Sequence, residues 1–298
     1  MKLQEPPPGR AGTPASQSPR AAGPVAPAYA EALREHFPSR EELLREAAAQ
    51  SERQRARRRA ASTALLPAVV LAVGAGLWWA DPALRTETLQ TATGQQARWD
   101  MRDGSRIQLN TGTTVLARTH LRSRRFVLEA GEAAFVATHN WRPFIVEAGD
   151  TRVRDIGTAF NLRREGPGAH VLVTEGAVEV TRAGAHAVLQ AGQSVQPAAD
   201  GGDGLAPVQQ HATPQAATAW QQGRIAFDGT PLAEAMRDIQ RYRIAPIALA
   251  DDSAIAGLRI SGDYDVQGIE ALIDALPQVL PVSVARAPDG SVRITGQR

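Results

Sequence analysis

Residues 143–163 read PFIVEAGDTRVRDIGTAFNLR, two alternating runs that stop at Gly149 and Gly157. FIVEA closes on the first glycine and TRVRDI on the second. Side chains that alternate with a period of two mark a half-buried strand, and a glycine at the end of the run supplies the turn. The pattern continues in both directions. RIQLN after Asp103-Gly104, FVLEA before Gly131 and AAFVA come before it; HVLVTE before Gly176, AVEVT, and AVLQA before Gly192 come after it. No helical segment intervenes between residues 98 and 196, which are expected to form an all-β domain. The turns LEAGEA, VTEGAV and LQAGQS share a loose form that points to a layered or solenoid arrangement with recurring corners. Glu129 and Glu132, which flank Gly131, read as solvated turn formers, with a paired-carboxylate site as the alternative.

Upstream the periodicity vanishes. Residues 60–80, AASTALLPAVVLAVGAGLWWA, carry no charge, and Arg53, Arg55, Arg57, Arg58 and Arg59 lie just before them. As a helix these 21 residues cover roughly 30 Å, the thickness of a bilayer's hydrocarbon core. The sequence is therefore expected to be a single-span membrane protein. The arginine cluster places the N-terminus in the cytoplasm, and Trp78 and Trp79 at the outer headgroup level. A secretory signal peptide would be shorter and start earlier. Residues 81–97 read as a juxtamembrane linker.

Residues 1–27, rich in Pro and Ala, cannot bury enough apolar surface to offset their ordering entropy and read as disordered. Residues 28–59 are predicted to be a short α-helical cytoplasmic arm. Tyr29, Leu33 and Phe37 recur at four-residue spacing before Pro38. Ser39 with Glu42 three residues on forms a capping box, opening a helix whose apolar side holds Leu43, Leu44 and Ala47.

Residues 197–219 read as a linker and 220–298 as a small α+β domain in the order β-α-β-β-α-β-β. GRIAF is a strand before Asp228-Gly229, and Thr230 with Pro231 is expected to cap a helix through LAEAMRDIQRYR. Ile269, Leu272, Ile273 and Leu276 follow helical spacing in the second helix, and Pro288-Asp289-Gly290 turns a closing hairpin.

The 298 residues suffice for two modest domains beside the span, and a net charge of +2 points to no polyanionic partner. Arg53 to Arg59 therefore read as a topology signal, and nucleic acid is not expected. The absence of cysteine excludes disulfides and thiolate metal sites. The six histidines, at 36, 120, 139, 170, 186 and 211, form no HxH or HxxxH pair, so no metal site is expected. No nucleophile elbow or phosphate-binding loop occurs. No catalytic or cofactor-binding residue, and no enzymatic activity, is expected.

DGSRIQLN, LEAGEAAFVA, PFIVEAGDTRVRDIGTAFNLR, VTEGAVEV and VLQAGQSV together resemble the periplasmic domain of FecR-type transmembrane sigma regulators. Gly157-Thr158-Ala159-Phe160-Asn161 is the most specific piece. WQQGRIAFDGTPLAEAMRDIQRYR resembles that family's C-terminal unit, which is similar to the short N-terminal signalling domain of secretins and TonB-dependent receptors. The resemblance covers residues 91–298.

It implies a bacterial inner-membrane protein, single pass, with its N-terminus cytoplasmic and its C-terminus periplasmic. Its implied partners are an ECF sigma factor, the periplasmic signalling domain of a TonB-dependent outer-membrane transporter, and envelope proteases. The implied role is cell-surface signalling for iron-carrier uptake, with no cofactor. Sigma binding would fall to Leu33, Phe37, Leu43 and Leu44, and transporter docking to Trp220, Ile225 and Phe227. The arm departs from the family's longer helical bundle, having no tryptophan before residue 60. The alternative is an anchored periplasmic glycan-binding or envelope-scaffold protein.

Overall fold

A computed structural model of the protein describes residues 39–198, 202, 204–211, 214–250 and 253–297, without the side chains of residues 58–66, 215 and 253. The tail over 1–27 and the helix expected over 28–37, with Leu33 and Phe37, lie outside the described residues. The chain divides into two compact units, Met1–Gly74 and Ala75–Arg298.

In the first unit the described residues form one helix, α1 (Arg40–Ala80), which runs on into the second. Its start is the reciprocal cap written into the sequence. The Ser39 amide donates to Glu42 Oε2 (2.9 Å), and the Glu42 amide to Ser39 Oγ (3.2 Å). Glu41 and Glu42 in the first turn also suit the positive end of the helix dipole. Pro67 lies inside the helix, where its missing N–H costs one bond of the ladder.

Among the described residues, no helix is long and apolar enough to cross a membrane. The single-span membrane protein expected from residues 60–80 is thus not supported.

The second unit opens with a β-sandwich. One sheet runs, in spatial order, β1 (Ala83–Gln90), β4 (Thr114–His120), β5 (Arg124–Ala130), β7 (Phe144–Ala148), β8 (Thr151–Asp155), β11 (Ala177–Arg182) and β12 (Ala185–Gln190). The other runs β14 (Gln209–Gln210), β13 (Gln193–Val195), β10 (Gly168–Glu175), β9 (Ala159–Glu165), β6 (Glu132–Val136), β3 (Arg106–Leu109) and β2 (Ala97–Asp100). Neighbours are antiparallel except β5 and β7. One apolar core draws residues from both sheets. At its centre Phe126 stacks on Phe144 (centroids 4.4 Å apart) and Phe135 on Phe160 (5.4 Å). Such pairs add about 1 kcal/mol each beyond the area they bury. The arrangement is layered.

The segment read as a linker over 81–97 holds β1, seven of whose residues pair with β4. Most of β1 is exposed and only Leu89 is buried, so no alternation advertises it. Part of the second linker also docks, because β14 extends a sheet and Leu205 packs on the core.

The main elements of the C-terminal unit are β15 (Arg224–Pro231), α2 (Leu232–Gln240), β16 (Ile247–Leu249), β17 (Arg259–Asp265), α3 (Ile269–Val279), β18 (Val282–Arg286) and β19 (Val292–Gly296). β15 pairs with β17, while β16, β19 and β18 form a second small sheet. Leu232, Met236 and Ile239 of α2 and Ile269, Leu272, Ile273 and Leu276 of α3 fill the core between them. β15 continues past Asp228-Gly229 to Pro231, and α2 starts without a side-chain cap from Thr230. The Leu232 amide instead donates to the Leu258 carbonyl (2.6 Å), so tertiary pairing replaces the expected local cap.

Candidate functional site

Polar side chains converge where the sandwich meets the C-terminal unit, around Glu132. This residue opens β6 directly after Gly131, whose φ of +83° places it in the left-handed region. A Cβ on Gly131 would lie 2.7 Å from the Thr113 Cα and 2.8 Å from the Gly112 carbonyl oxygen, so the turn admits only glycine. That turn aims Glu132 out of the core layer towards the end of α2. Glu132 is not a solvated turn former: it is 4% exposed.

Every oxygen of its carboxylate is engaged. Asn161 Nδ2 donates to Oε1 (2.8 Å); Asn110 Nδ2 (2.9 Å) and Arg241 Nη2 (2.6 Å) donate to Oε2. Burial alone would raise the carboxyl's pKa, but the Arg241 charge and the hydrogen bonds from Asn161, Arg241 and Asn110 outweigh it. The net direction is downward, so Glu132 is ionised at neutral pH.

Further contacts tie the same two parts together. The Tyr242 hydroxyl accepts from Asn110 Nδ2 (2.8 Å) and donates to Asn110 Oδ1 (3.0 Å). Thr111 Oγ1 donates to the Arg241 carbonyl (2.9 Å), and Gln108 Nε2 to the Gln221 carbonyl (2.8 Å). Arg163 Nη1 meets Asp238 Oδ1 at 3.2 Å. Burial pushes the Tyr242 phenol up to about 12. Burial likewise raises the Asp238 carboxyl more than Arg163 and Arg241 lower it. These shifts come from burial within an ion-pair network, a setting that perturbs pKa values as readily as a catalytic site does. What the arrangement can do is hold the two parts in one register.

Beside the network lies a cavity of about 220 Å³, lined among others by Asn161, His170, Trp220, Ile225 and Tyr242. Trp220 is 4% exposed and Phe227 6%, the latter packed in the C-terminal core. Neither of these expected docking residues presents a surface to a partner in this conformation. Ile225 is half-buried in the cavity wall. The expected sigma-binding residues Leu43 and Leu44 are exposed on α1 (52% and 60%). Arg53, Arg55 and Arg57 are exposed on the same helix, and the side chains of Arg58 and Arg59 lie outside the described residues.

At the end of α1 within the second unit, the Arg122 guanidinium lies over the Trp78 ring (5.0 Å), while Trp79 is 86% exposed. Asp81 follows, buried, accepting from the Arg122 amide (2.6 Å) and the Ser123 hydroxyl (2.6 Å). Among the described residues, no group of three or more His, Asp or Glu side chains could hold a metal ion.

The junction residues were hard to single out beforehand, because Glu132 and Arg241 are 109 positions apart. The available signals were the LEAGEA turn and the Arg241-Tyr242 pair, each without its partner.

Two solved structures share this fold, each of a proposed anti-sigma factor from Parabacteroides distasonis ATCC 8503. One is 23% identical with a TM-score of 0.60, covering 72% of this chain and 100% of its own. The other is 24% identical with a TM-score of 0.61, covering 71% and 100%. At such identities the likeness speaks to the fold. No curated protein matches the chain. The model of the family described as FecR protein matches residues 87–179, from within β1 into β11. The chain thus carries a FecR domain over residues 87–179.

Proposed function

We propose that this protein is an anti-sigma regulator, acting by binding rather than by catalysis. The observation that carries the reading is the FecR domain, in a chain whose fold is shared with two proposed anti-sigma factors. The partner on the output side is an ECF sigma factor, held by the arm through Leu43 and Leu44. Leu43 and Leu44 are large apolar side chains exposed on α1, the kind of residue that can anchor a helix in a partner's groove.

On the input side, the signalling domain of a TonB-dependent outer-membrane transporter engages the C-terminal unit, in a system for iron-carrier uptake. Envelope proteases then complete the relay. The Glu132 network supports this reading physically: a partner that binds the C-terminal unit acts on a part clamped to the FecR domain by buried polar contacts.

The test is co-purification of the cognate sigma factor with the full chain and with Leu43→Asp/Leu44→Asp. Both positions are exposed, so the substitutions leave folding intact. The full chain retains sigma at low salt and the double variant loses it. Equal retention by both would move the contact elsewhere, and retention by neither would overturn the sigma-binding reading.

A further inference from the structure

Strand β6 runs from one end of the sandwich to the other. Its first residue, Glu132, meets Arg241 of the C-terminal unit. Just past its last residue, the Ala137 amide donates to the Thr158 carbonyl (3.0 Å) in the turn between β8 and β9. At this second end large apolar side chains stand in solvent. Trp141 in the β6–β7 loop is 69% exposed, Ile156 in the β8–β9 turn 60%, and Leu84 at the start of β1 62%. Trp78 and Trp79 close α1, 54% and 86% exposed. Three of the chain's five tryptophans are thus exposed at the end away from the C-terminal unit.

Hydrogen bonds fix these pieces side by side. Asp81, directly after α1, accepts from the Arg122 amide (2.6 Å) in the β4–β5 turn, and the Leu121 amide donates to the Pro82 carbonyl (3.2 Å). Arg124, which opens β5, donates from Nε and Nη2 to the Arg142 carbonyl (3.1 and 2.9 Å). Its amide donates to the Pro143 carbonyl (2.9 Å). The helix end, the β4–β5 turn and the β6–β7 loop therefore form one rim. Two of its indoles carry a guanidinium each: Arg122 lies over Trp78 (5.0 Å) and Arg142 over Trp141 (4.8 Å).

The charge of the rim leans positive. Asp81 is buried, Asp103 pairs with Arg124 (2.6 Å), and Asp155 accepts from the Thr158 hydroxyl. Arg102, Arg122 and Arg142 form no salt bridge among the described residues. Glu175, exposed at the end of β10, opposes these three with a single charge. A protein groove would call for one contiguous apolar patch, whereas here the rings are spread over a helix end and separate loops, with arginines between them. That pattern matches a bilayer's headgroup layer. An indole sets its apolar body at the acyl boundary and its N–H among polar groups, and nearby arginines are drawn to anionic lipid.

We propose that this end of the sandwich docks on an anionic phospholipid surface, with Trp79, Trp141 and Ile156 entering the headgroup layer and Arg122 and Arg142 meeting lipid phosphates. The docking is peripheral and calls for no helix that crosses the bilayer. It leaves the C-terminal unit on the side away from the lipid, and it stands independently of the sigma-factor reading.

The experiment mixes the full chain with phosphatidylcholine vesicles holding about 30% phosphatidylglycerol, and with vesicles of phosphatidylcholine alone, and reads the bound fraction by sedimentation. The chain binds the anionic vesicles more tightly, and added salt weakens that binding. Trp141→Ser/Ile156→Ser, both at exposed positions, lowers the partition coefficient about tenfold or more on either vesicle. Arg122→Gln/Arg142→Gln lowers it about 30-fold on the anionic vesicles and leaves the neutral ones unchanged. Absence of binding to both vesicles would leave the surface to a protein partner and overturn the proposal. Equal partition of the parent and the Trp141/Ile156 variant, or no preference for the anionic vesicles, would overturn it as well.

Discussion

Arg241 Nη2 lies 2.6 Å from Glu132 Oε2, joining the residue after α2 to the first residue of β6 across 109 positions of sequence. The Arg241 side chain is 26% exposed and that of Glu132 only 6%, so the carboxylate is the more dependent partner. Removing the arginine leaves a buried charge held by two amides. Arg241→Ala is expected to destabilise the protein by about 3 kcal/mol, the low end for a broken buried pair because of the arginine's partial exposure. Urea unfolding measures it, and a loss below about 0.5 kcal/mol would place the pair among surface ion pairs.

The same carboxyl sets an acid response. Its folded pKa lies below the ordinary 4.5: burial raises it, but Arg241, Asn161 and Asn110 together outweigh burial. The unfolded chain therefore binds the proton first, and the stability Glu132 contributes, complete above that ordinary value, drains away as pH falls through the folded one. Asp238, raised mainly by burial, has the opposite slope and partly masks the effect. Glu132→Gln is expected to flatten the loss of stability on acidification below pH 4.5. An unchanged slope in thermal melts at descending pH would contradict this.

At the alkaline end the Tyr242 phenol, raised by burial to about 12, stays protonated after an unfolded tyrosine has ionised. Stability is accordingly lost as pH rises above the ordinary 10. In an absorbance titration of phenolate, Tyr242→Phe should remove a step near 12. Removal of a step near 10 instead would show an open junction.

Two glycines separate strain from crowding. Gly131 and Gly157 both have positive φ, +83° and +101°. A Cβ at Gly131 would strike the Thr113 backbone, whereas at Gly157 nothing lies within 4 Å. Gly157→Ala should cost about 1–2 kcal/mol, the conformational penalty alone. Gly131→Ala should cost about 3 kcal/mol or more, since clash is added and Glu132 is displaced. Equal costs in chemical denaturation would refute the difference.

Local features of this fold could be read from local sequence. The alternation in FIVEA and AVEVT corresponds to β7 and β11, and the Ser39–Glu42 box to two observed hydrogen bonds. Strand β1 escaped because an edge strand with one buried residue shows no alternation. Thr230 failed as a cap because a backbone bond to Leu258 took that role. The junction was illegible for a different reason. Glu132 next to a turn glycine has the signature of a solvated residue, and only tertiary structure brings Asn110, Asn161 and Arg241 to it. The apolar run at 60–80 lies in α1, and among the described residues no helix is long and apolar enough to cross a membrane.

The central claim, regulation of a sigma factor, is tested most directly by a sigma-dependent reporter in three strains: parent, whole-gene deletion, and deletion of residues 81–298. The account predicts that both deletions change reporter output and that the second no longer responds to the transporter's ligand. Output identical in all three strains, with and without that ligand, would contradict it.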